Sequence, residues 1–245
     1  MSDQPQTLFN DPPQLPQRAP GLFEQIVGVF TAPVELFQRL RQSPSFGWAM
    51  GVTILTAVVV TLAWGMKVDV EEMLRPILER NPNITAAQMD QAITVYKKVL
   101  VPMSIAGALF SSAAVLLLLG LFYWLIGKAL HEDGAPSFEQ SLSAAVVPGL
   151  VKLPHALLIT LICLVRPIGG LTPEKIAPTS LGYFIKVESI KLHALLFAVE
   201  PFVLAEVVLS YLALRHLLRM KTGGALLCSL LPLLLGVGMR VLGAK

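Results

Sequence analysis

Apolar residues occur along this chain in long, continuous blocks separated by short polar segments. Residues 46–66, 99–127 and 222–239 form blocks of 21, 29 and 18 positions without a charged side chain. Each block reaches the roughly 18–20 residues that a helix needs to cross a hydrocarbon core about 30 Å thick. Because that core offers the backbone no water, a spanning segment of this kind satisfies its hydrogen bonds as a helix. The pattern therefore predicts three transmembrane helices.

Two further blocks are similarly apolar but carry ionisable side chains. Residues 141–165 contain Lys152 and His155, and residues 192–214 contain Glu200 and Glu206. Including them, we predict an all-α, polytopic membrane helix bundle with five transmembrane helices, in a membrane domain of residues 46–245. We place the spans at about 46–66, 101–127, 142–165, 193–214 and 222–242.

The residues before the first span divide into two parts. Residues 1–20 are rich in proline and glutamine, which is typical of a disordered tail. In residues 21–45, apolar side chains recur at helical spacing on both sides of Pro33, which breaks a helix. We expect two short amphipathic helices, either lying on the membrane surface or packing against the helix bundle. The sequence favours neither alternative.

Helix starts and breaks are marked by short polar motifs and by prolines. Two pairs match a capping box, in which each side chain bonds the free backbone N–H of the other residue: Thr85 with Gln88, and Ser137 with Gln140. The first predicts a helix from Ala86 that runs into the second span. The second begins the third span, which Pro148 and Pro154 should then kink.

Composition excludes several classes of protein. Apolar side chains make up 54% of the chain and charged ones only 14%, against about 25% charged in a typical soluble domain, and the mean hydropathy is +0.67. These values exclude a nucleic-acid-binding domain and a disulfide-stapled secreted module, and they argue against a soluble enzyme. The chain also lacks a nucleophile elbow, a zinc-protease motif and a phosphate-binding loop. The run His131-Glu132-Asp133 has no further metal ligands nearby in sequence. We expect no catalytic residues, no metal, no cofactor and no nucleic-acid partner.

Lys152, His155, Glu200 and Glu206 form a candidate intramembrane polar site. An ionisable group inside a span costs a few kcal/mol, so each needs a partner or an exit to water. Depth along the helices permits two pairs, Lys152 with Glu206 and His155 with Glu200. The two glutamates are separated by about 120° of helical rotation, so we expect one strong contact and one weaker one. The site is either a pathway for ions or protons, a cavity for a lipid headgroup, or an ion pair that fixes helix register.

A second candidate site is basic. Arg215, Arg219 and Lys221 lie together between the last two spans, where each cation near an anionic leaflet is worth about 1 kcal/mol. They are candidate contacts for anionic lipid, and the alternative is an ordinary topology anchor. Charge counting leaves the orientation open. With the N-terminus inside, seven lysines and arginines lie in cytoplasmic segments and eleven in outer ones.

Three groups of residues resemble motifs of the Yip-domain family, which are five-span membrane proteins named for interaction with Ypt/Rab GTPases. The resemblance covers about residues 22–243. The groups are Phe30-Thr31-Ala32-Pro33-Val34-Glu35-Leu36-Phe37; Gly127 and Lys128 followed by Ser137-Phe138-Glu139-Gln140 and Val147-Pro148; and Thr179-Ser180-Leu181-Gly182 followed by Ala198-Val199-Glu200-Pro201-Phe202. Glu200 stands where the family often has Asp, and no Trp follows it. The chain is most similar to bacterial members.

The resemblance implies a cytoplasmic N-terminus and an outward C-terminus, in a bacterial inner membrane. Eukaryotic members of this family act in membrane traffic. We therefore expect a non-enzymatic scaffold or membrane-organising protein, with membrane lipids and an unidentified membrane protein, or a second copy of itself, as partners. The alternative is a small transporter or permease component that uses the four intramembrane ionisable residues.

Overall fold

The computed structural model describes residues 18–80, 83–130, 134–176, 178–185, 187 and 189–243, and all regular structure in these ranges is helical. Most of the predicted N-terminal tail and the run His131-Glu132-Asp133 lie outside the described residues. In chain order the helices are α1 (Leu22–Thr31), α2 (Pro33–Gln42), α3 (Gly47–Gly65), α4 (Val70–Leu78), α5 (Ala86–Leu130), α6 (Phe138–Val146), a 3-10 segment (Val147–Lys152), α7 (Leu153–Val165), α8 (Pro173–Ile176), α9 (Leu181–Phe184), α10 (Ile190–Ala198), α11 (Pro201–His216) and α12 (Thr222–Gly243).

In the described part of the chain, four helical stretches are long and apolar enough to cross a membrane. They are α3, α5, Phe138–Val165 and α12. A fifth span is formed if α10 and α11, which meet at an angle of 56°, are taken as one broken helix. The predicted all-α membrane helix bundle is confirmed, and the predicted count of five spans corresponds to taking α10 and α11 as one span.

Helix α5 is much longer than the membrane requires. Its 45 residues extend for about 68 Å at 1.5 Å per residue, roughly twice the thickness of a hydrocarbon core. It begins directly after the Thr85–Gln88 capping box, where the Thr85 N–H donates to Gln88 Oε1 at 2.9 Å. The predicted helix that runs into the second span is therefore present. Its first turns carry charged residues and pack beside α4, where Lys97 Nζ lies 3.5 Å from Glu71 Oε2.

Helices α1 and α2 pack against the bundle, which is the second of the two alternatives left by the sequence. Phe37 and Leu40 of α2 are fully buried in a core shared with α6, the 3-10 segment and α11. Helix α1 contributes Val29 to this core but leaves Phe23 78% exposed. One face of α1 thus contacts protein, and another faces outward with apolar side chains.

Close packing between α5 and α6 depends on a glycine. A Cβ atom at Gly120 would lie 2.5 Å from Leu142 Cδ1 and 3.2 Å from Leu142 Cα. Gly107, in the same helix, has no heavy atom within 4 Å of such a position. The close approach of these two helices therefore requires a missing side chain at Gly120.

Candidate functional site

Lys152 and His155 lie where the third span is interrupted. The capping box at Ser137 starts α6, and its side-chain bonds to Gln140 are both present. Pro148 and Pro154 have no N–H to donate, and between them the chain adopts a 3-10 segment that ends at Lys152. Helix α7 then begins, with His155 in its first turn. The interruption places both side chains beside α11.

Glu200 and Glu206 lie on the two sides of a helix start. Pro201 is the first residue of α11, a position its fixed φ suits, and it drives the preceding residue into extended backbone. Glu200 accordingly has φ −135° and ψ 137°, so the backbone between α10 and α11 is extended at this residue. Glu206 lies within α11. The fourth span is therefore bent between the two carboxylates.

The structure brings all four predicted residues together as two pairs. Lys152 Nζ lies 2.8 Å from Glu206 Oε1, with the two side chains 46% and 29% exposed. His155 Nδ1 contacts Glu200 Oε1, and both of these side chains are largely buried. The first pair is open to its surroundings, whereas the second is enclosed.

Both pairs are in direct contact, so the angular argument for one strong and one weaker contact does not hold, and their relative strength stays a prediction. That argument assumed one continuous helix through Glu200 and Glu206. Since Glu200 precedes the first turn of α11, the angular relation between helical positions does not apply to it. A break at Pro201 frees the two carboxylates to reach separate partners.

Thr179 is a further member of the enclosed pair that sequence reasoning missed. Its hydroxyl donates to Glu200 Oε1 at 3.1 Å. The backbone reinforces this contact, because the Leu181 N–H donates to the Val199 carbonyl at 3.0 Å. No signal in the sequence singled it out, because the approach to the fourth span contains other hydroxyl residues such as Ser180 and Ser189.

A cavity of about 290 Å³ lies beside the open pair, between α5, α11 and α12. Lys152 and Glu206 line it together with Arg240 and with many leucine and valine side chains. Tyr123 also lines it and is fully buried, with its hydroxyl beside the Ser210 side chain, which lines the cavity too. The Lys152–Glu206 pair is therefore reachable by a small ligand or by water.

The three basic candidate residues do not all line the same cavity. Arg215 and Arg219 line a second cavity of about 290 Å³, whereas Lys221 does not. Arg41, at the end of α2, lines the same cavity and was not predicted. Sequence distance hid it, because α2 reaches this position only when it packs against α11. Among the described residues, no group of three His, Cys, Asp or Glu side chains is arranged to hold a metal ion.

Comparison with known families identifies the fold. The Yip1 domain matches residues 27–242, which is most of the chain. The chain belongs to the Yip1 domain family. It is accordingly an integral, multi-pass membrane protein.

A curated relative of the Yip1 domain described here is "Membrane protein YknW" of Bacillus subtilis (strain 168). The two are 26% identical over 133 residues. The aligned region covers 54% of this chain and 52% of the relative, so it spans about half the length of the curated protein. No solved structure matches the chain.

Within the Yip1 domain, two sequence motifs meet at the enclosed pair. The motif at residues 179–182 supplies Thr179, and the motif at residues 198–202 supplies Glu200. Gly182 allows the approach, because a Cβ there would lie 2.8 Å from the Phe197 backbone nitrogen. These motifs are separated along the chain but build one structural unit.

Proposed function

We propose that this Yip1 domain protein is a non-enzymatic scaffold that organises the bacterial inner membrane through protein and lipid contacts. The observation that carries the proposal is the pairing of its intramembrane ionisable groups. Lys152 meets Glu206, and His155 meets Glu200, which also accepts from Thr179. Each carboxylate therefore has a partner that joins the third span to the fourth.

Paired groups of this kind support a structural role. A lone charge at the centre of a span costs roughly 2.5–3.5 kcal/mol on insertion scales, and a partner on a neighbouring helix offsets that cost. The pair then fixes how the helices are rotated and how deep they lie. A rigid bundle with outward apolar side chains, such as Phe23 and Phe110, offers a surface to lipids and to other membrane proteins.

The proposal is tested by chemical crosslinking in native membranes, followed by identification of captured proteins and lipids. A Lys152→Leu, Glu206→Leu double variant removes both charges while leaving apolar side chains. We expect it to insert and to capture the same partner as the natural protein. A folded double variant that loses its biological effect contradicts a purely structural pair, and the natural protein's failure to capture any fixed partner contradicts the scaffold.

For orientation, we propose a cytoplasmic N-terminus and an external C-terminus. Five spans, with α10 and α11 taken as one, put the two ends on opposite sides, and the three cations in residues 215–221 suit the cytoplasmic face. A reporter that matures only in the cytoplasm, fused after the last span, should stay dark, and the same reporter fused before Gly21 should be active. The reverse result contradicts this topology.

A small transporter or permease component is the second candidate function, and the cavity beside Lys152 and Glu206 favours it. That cavity combines an accessible ion pair, the Tyr123 and Ser210 hydroxyls and Arg240 with an apolar wall. Pockets with a few polar groups in an apolar lining are typical of ligand sites. Flux through reconstituted protein that depends on Glu206 favours this function, and a fixed partner captured without flux argues against it.

A further inference from the structure

The second cavity lies outside the ion pairs, where the end of α2 meets the segment between α11 and α12. Its volume is about 290 Å³. Six side chains line it, all polar or basic: Gln38, Arg41, Gln42, Arg215, His216 and Arg219. The wall comes from two parts of the chain that folding alone brings together.

The lining is strongly cationic. It holds three guanidinium groups and no carboxylate. Glu35 lines the neighbouring cavity beside Arg39 and does not line this one. Helices α2 and α11 both end here, and each helix C-terminus carries roughly half a negative charge. Two such ends offset about one of the three positive charges, so the cavity remains positive.

Arg41 and Arg219 are held together without an acidic partner among the lining residues. Burial and the Arg219 cation both lower the pKa of Arg41, with burial the larger effect. The backbone of Arg41 is anchored, because Gln140 Nε2 donates to the Arg41 carbonyl at 2.7 Å. The fold thus places two like charges on one cavity, where an anion between them would relieve their repulsion.

The backbone at Arg219 is strained. Its φ is +57°, and it is the single non-glycine residue with a positive φ in the described part of the chain. A helix end of this kind is usually completed by glycine, because other residues pay a steric penalty in the left-handed region. The flanking Leu218 and Met220 are buried and hold the turn, while Arg219 remains exposed at the cavity. Arg215 Nη1 donates to the Met220 carbonyl at 2.5 Å and braces the same turn.

We propose that this cavity binds a phosphate group, held by Arg41, Arg215 and Arg219 with the Gln38 and Gln42 amides as further donors. Guanidinium groups present forked N–H donors that match phosphate oxygens, and a pocket lined by several cations favours a compact anion. The phosphate comes from an anionic lipid headgroup or from a free phosphate compound. The phosphate site itself does not depend on the proposed function. Only the choice of a lipid headgroup as the source of the phosphate rests on the proposed lipid contacts.

The test is a binding titration of the purified full-length protein in detergent micelles. The probes are phosphatidylglycerol, counted on the protein by native mass spectrometry, and inorganic phosphate, added alone and as a competitor. We expect saturable binding that Arg41→Gln weakens roughly tenfold, which is the effect of losing one charge-assisted contact. Arg41→Lys keeps the positive charge but loses the forked N–H donors. Its affinity should therefore lie between the affinities of the natural protein and of Arg41→Gln.

Lys221→Gln is the matched control, since it removes one cation from the same segment but outside the cavity. It should change the affinity less than twofold. Equal losses in Lys221→Gln and Arg41→Gln would show diffuse attraction to the membrane and overturn the site. Absence of saturable binding by both probes overturns it as well. Competition by inorganic phosphate assigns the free compound, and its absence assigns the lipid; both outcomes support the site.

Arg219→Gly keeps the proposal testable if Arg41→Gln fails to fold. Glycine adopts a positive φ without strain, so this variant should melt no lower than the natural protein while binding phosphate roughly tenfold more weakly. A variant that melts normally and binds normally contradicts the assignment. Because the titration uses purified protein, its outcome is independent of partner capture in native membranes, so this site and the scaffold can fail separately.

Discussion

The open ion pair allows a direct test of whether the intramembrane charges act as a unit. Changing Lys152 to Leu leaves Glu206 without the partner that lies 2.8 Å away, and changing Glu206 to Leu strands Lys152 in the same way. A lone charge at the centre of a span costs roughly 2.5–3.5 kcal/mol. The side chains are 46% and 29% exposed, so the neighbouring cavity relieves part of that cost. We expect each single variant to lose about 1–2 kcal/mol of stability.

The double variant should lose less than the sum of the two single variants. Once both charges are absent, no unpaired charge remains. The double-mutant cycle should therefore give an interaction energy of about 1 kcal/mol, which is the difference between the sum of the two single losses and the loss in the double variant. The assay is reversible unfolding in detergent micelles, followed by tryptophan fluorescence and fitted for all four proteins. The exposed pair Glu71 and Arg75 in α4 is the control, because solvent screens exposed pairs and its coupling should be clearly smaller than that of Lys152 and Glu206. Additive losses at Lys152 and Glu206 would show that each charge is solvated independently and would contradict the claim that the two charges stabilise each other.

Two further predictions concern packing and pH. Gly120→Ala should destabilise the protein by about 1–3 kcal/mol, because the new Cβ meets Leu142. Gly107→Ala in the same helix has room for its Cβ and should stabilise the protein by up to about 1 kcal/mol. Equal melting temperatures for the two variants would contradict this packing. The hydrogen bond from Arg75 and its charge lower the pKa of Glu71 below its usual 4.5, so the pair contributes stability above that pH and loses it as the pH falls through the lowered value. Glu71→Gln should therefore flatten the acid side of a stability-against-pH curve, and an unchanged acid side would show that the pair adds nothing.

The helical framework was largely predictable, because it follows from local and additive signals. An apolar block that is long enough to cross the hydrocarbon core predicts a span, and the Ser137–Gln140 capping box marks the start of α6. The position of α1 and α2 was not predictable. Helical spacing of apolar residues is the same whether that face meets lipid or protein, and only tertiary packing shows that Phe37 is buried in the bundle.

The candidate site was partly predictable for a related reason. Depth along a helix can be counted from residue numbers, and this count pairs Lys152 with Glu206 and His155 with Glu200. Rotation about the helix cannot be counted through a break, and Pro201 makes the angular argument fail. The participation of Arg41 in the basic cavity depends on a contact between α2 and α11, which no local pattern encodes.

In the proposed scaffold, the intramembrane charges join the third span to the fourth and conduct nothing. The most direct test of this proposal is proton flux through proteoliposomes, read with an enclosed pH-sensitive dye under an imposed gradient, for the natural protein and for Glu200→Gln. The scaffold predicts that both match protein-free liposomes, while crosslinking of the natural protein in native membranes recovers a fixed partner. Flux through the natural protein that Glu200→Gln abolishes would contradict it.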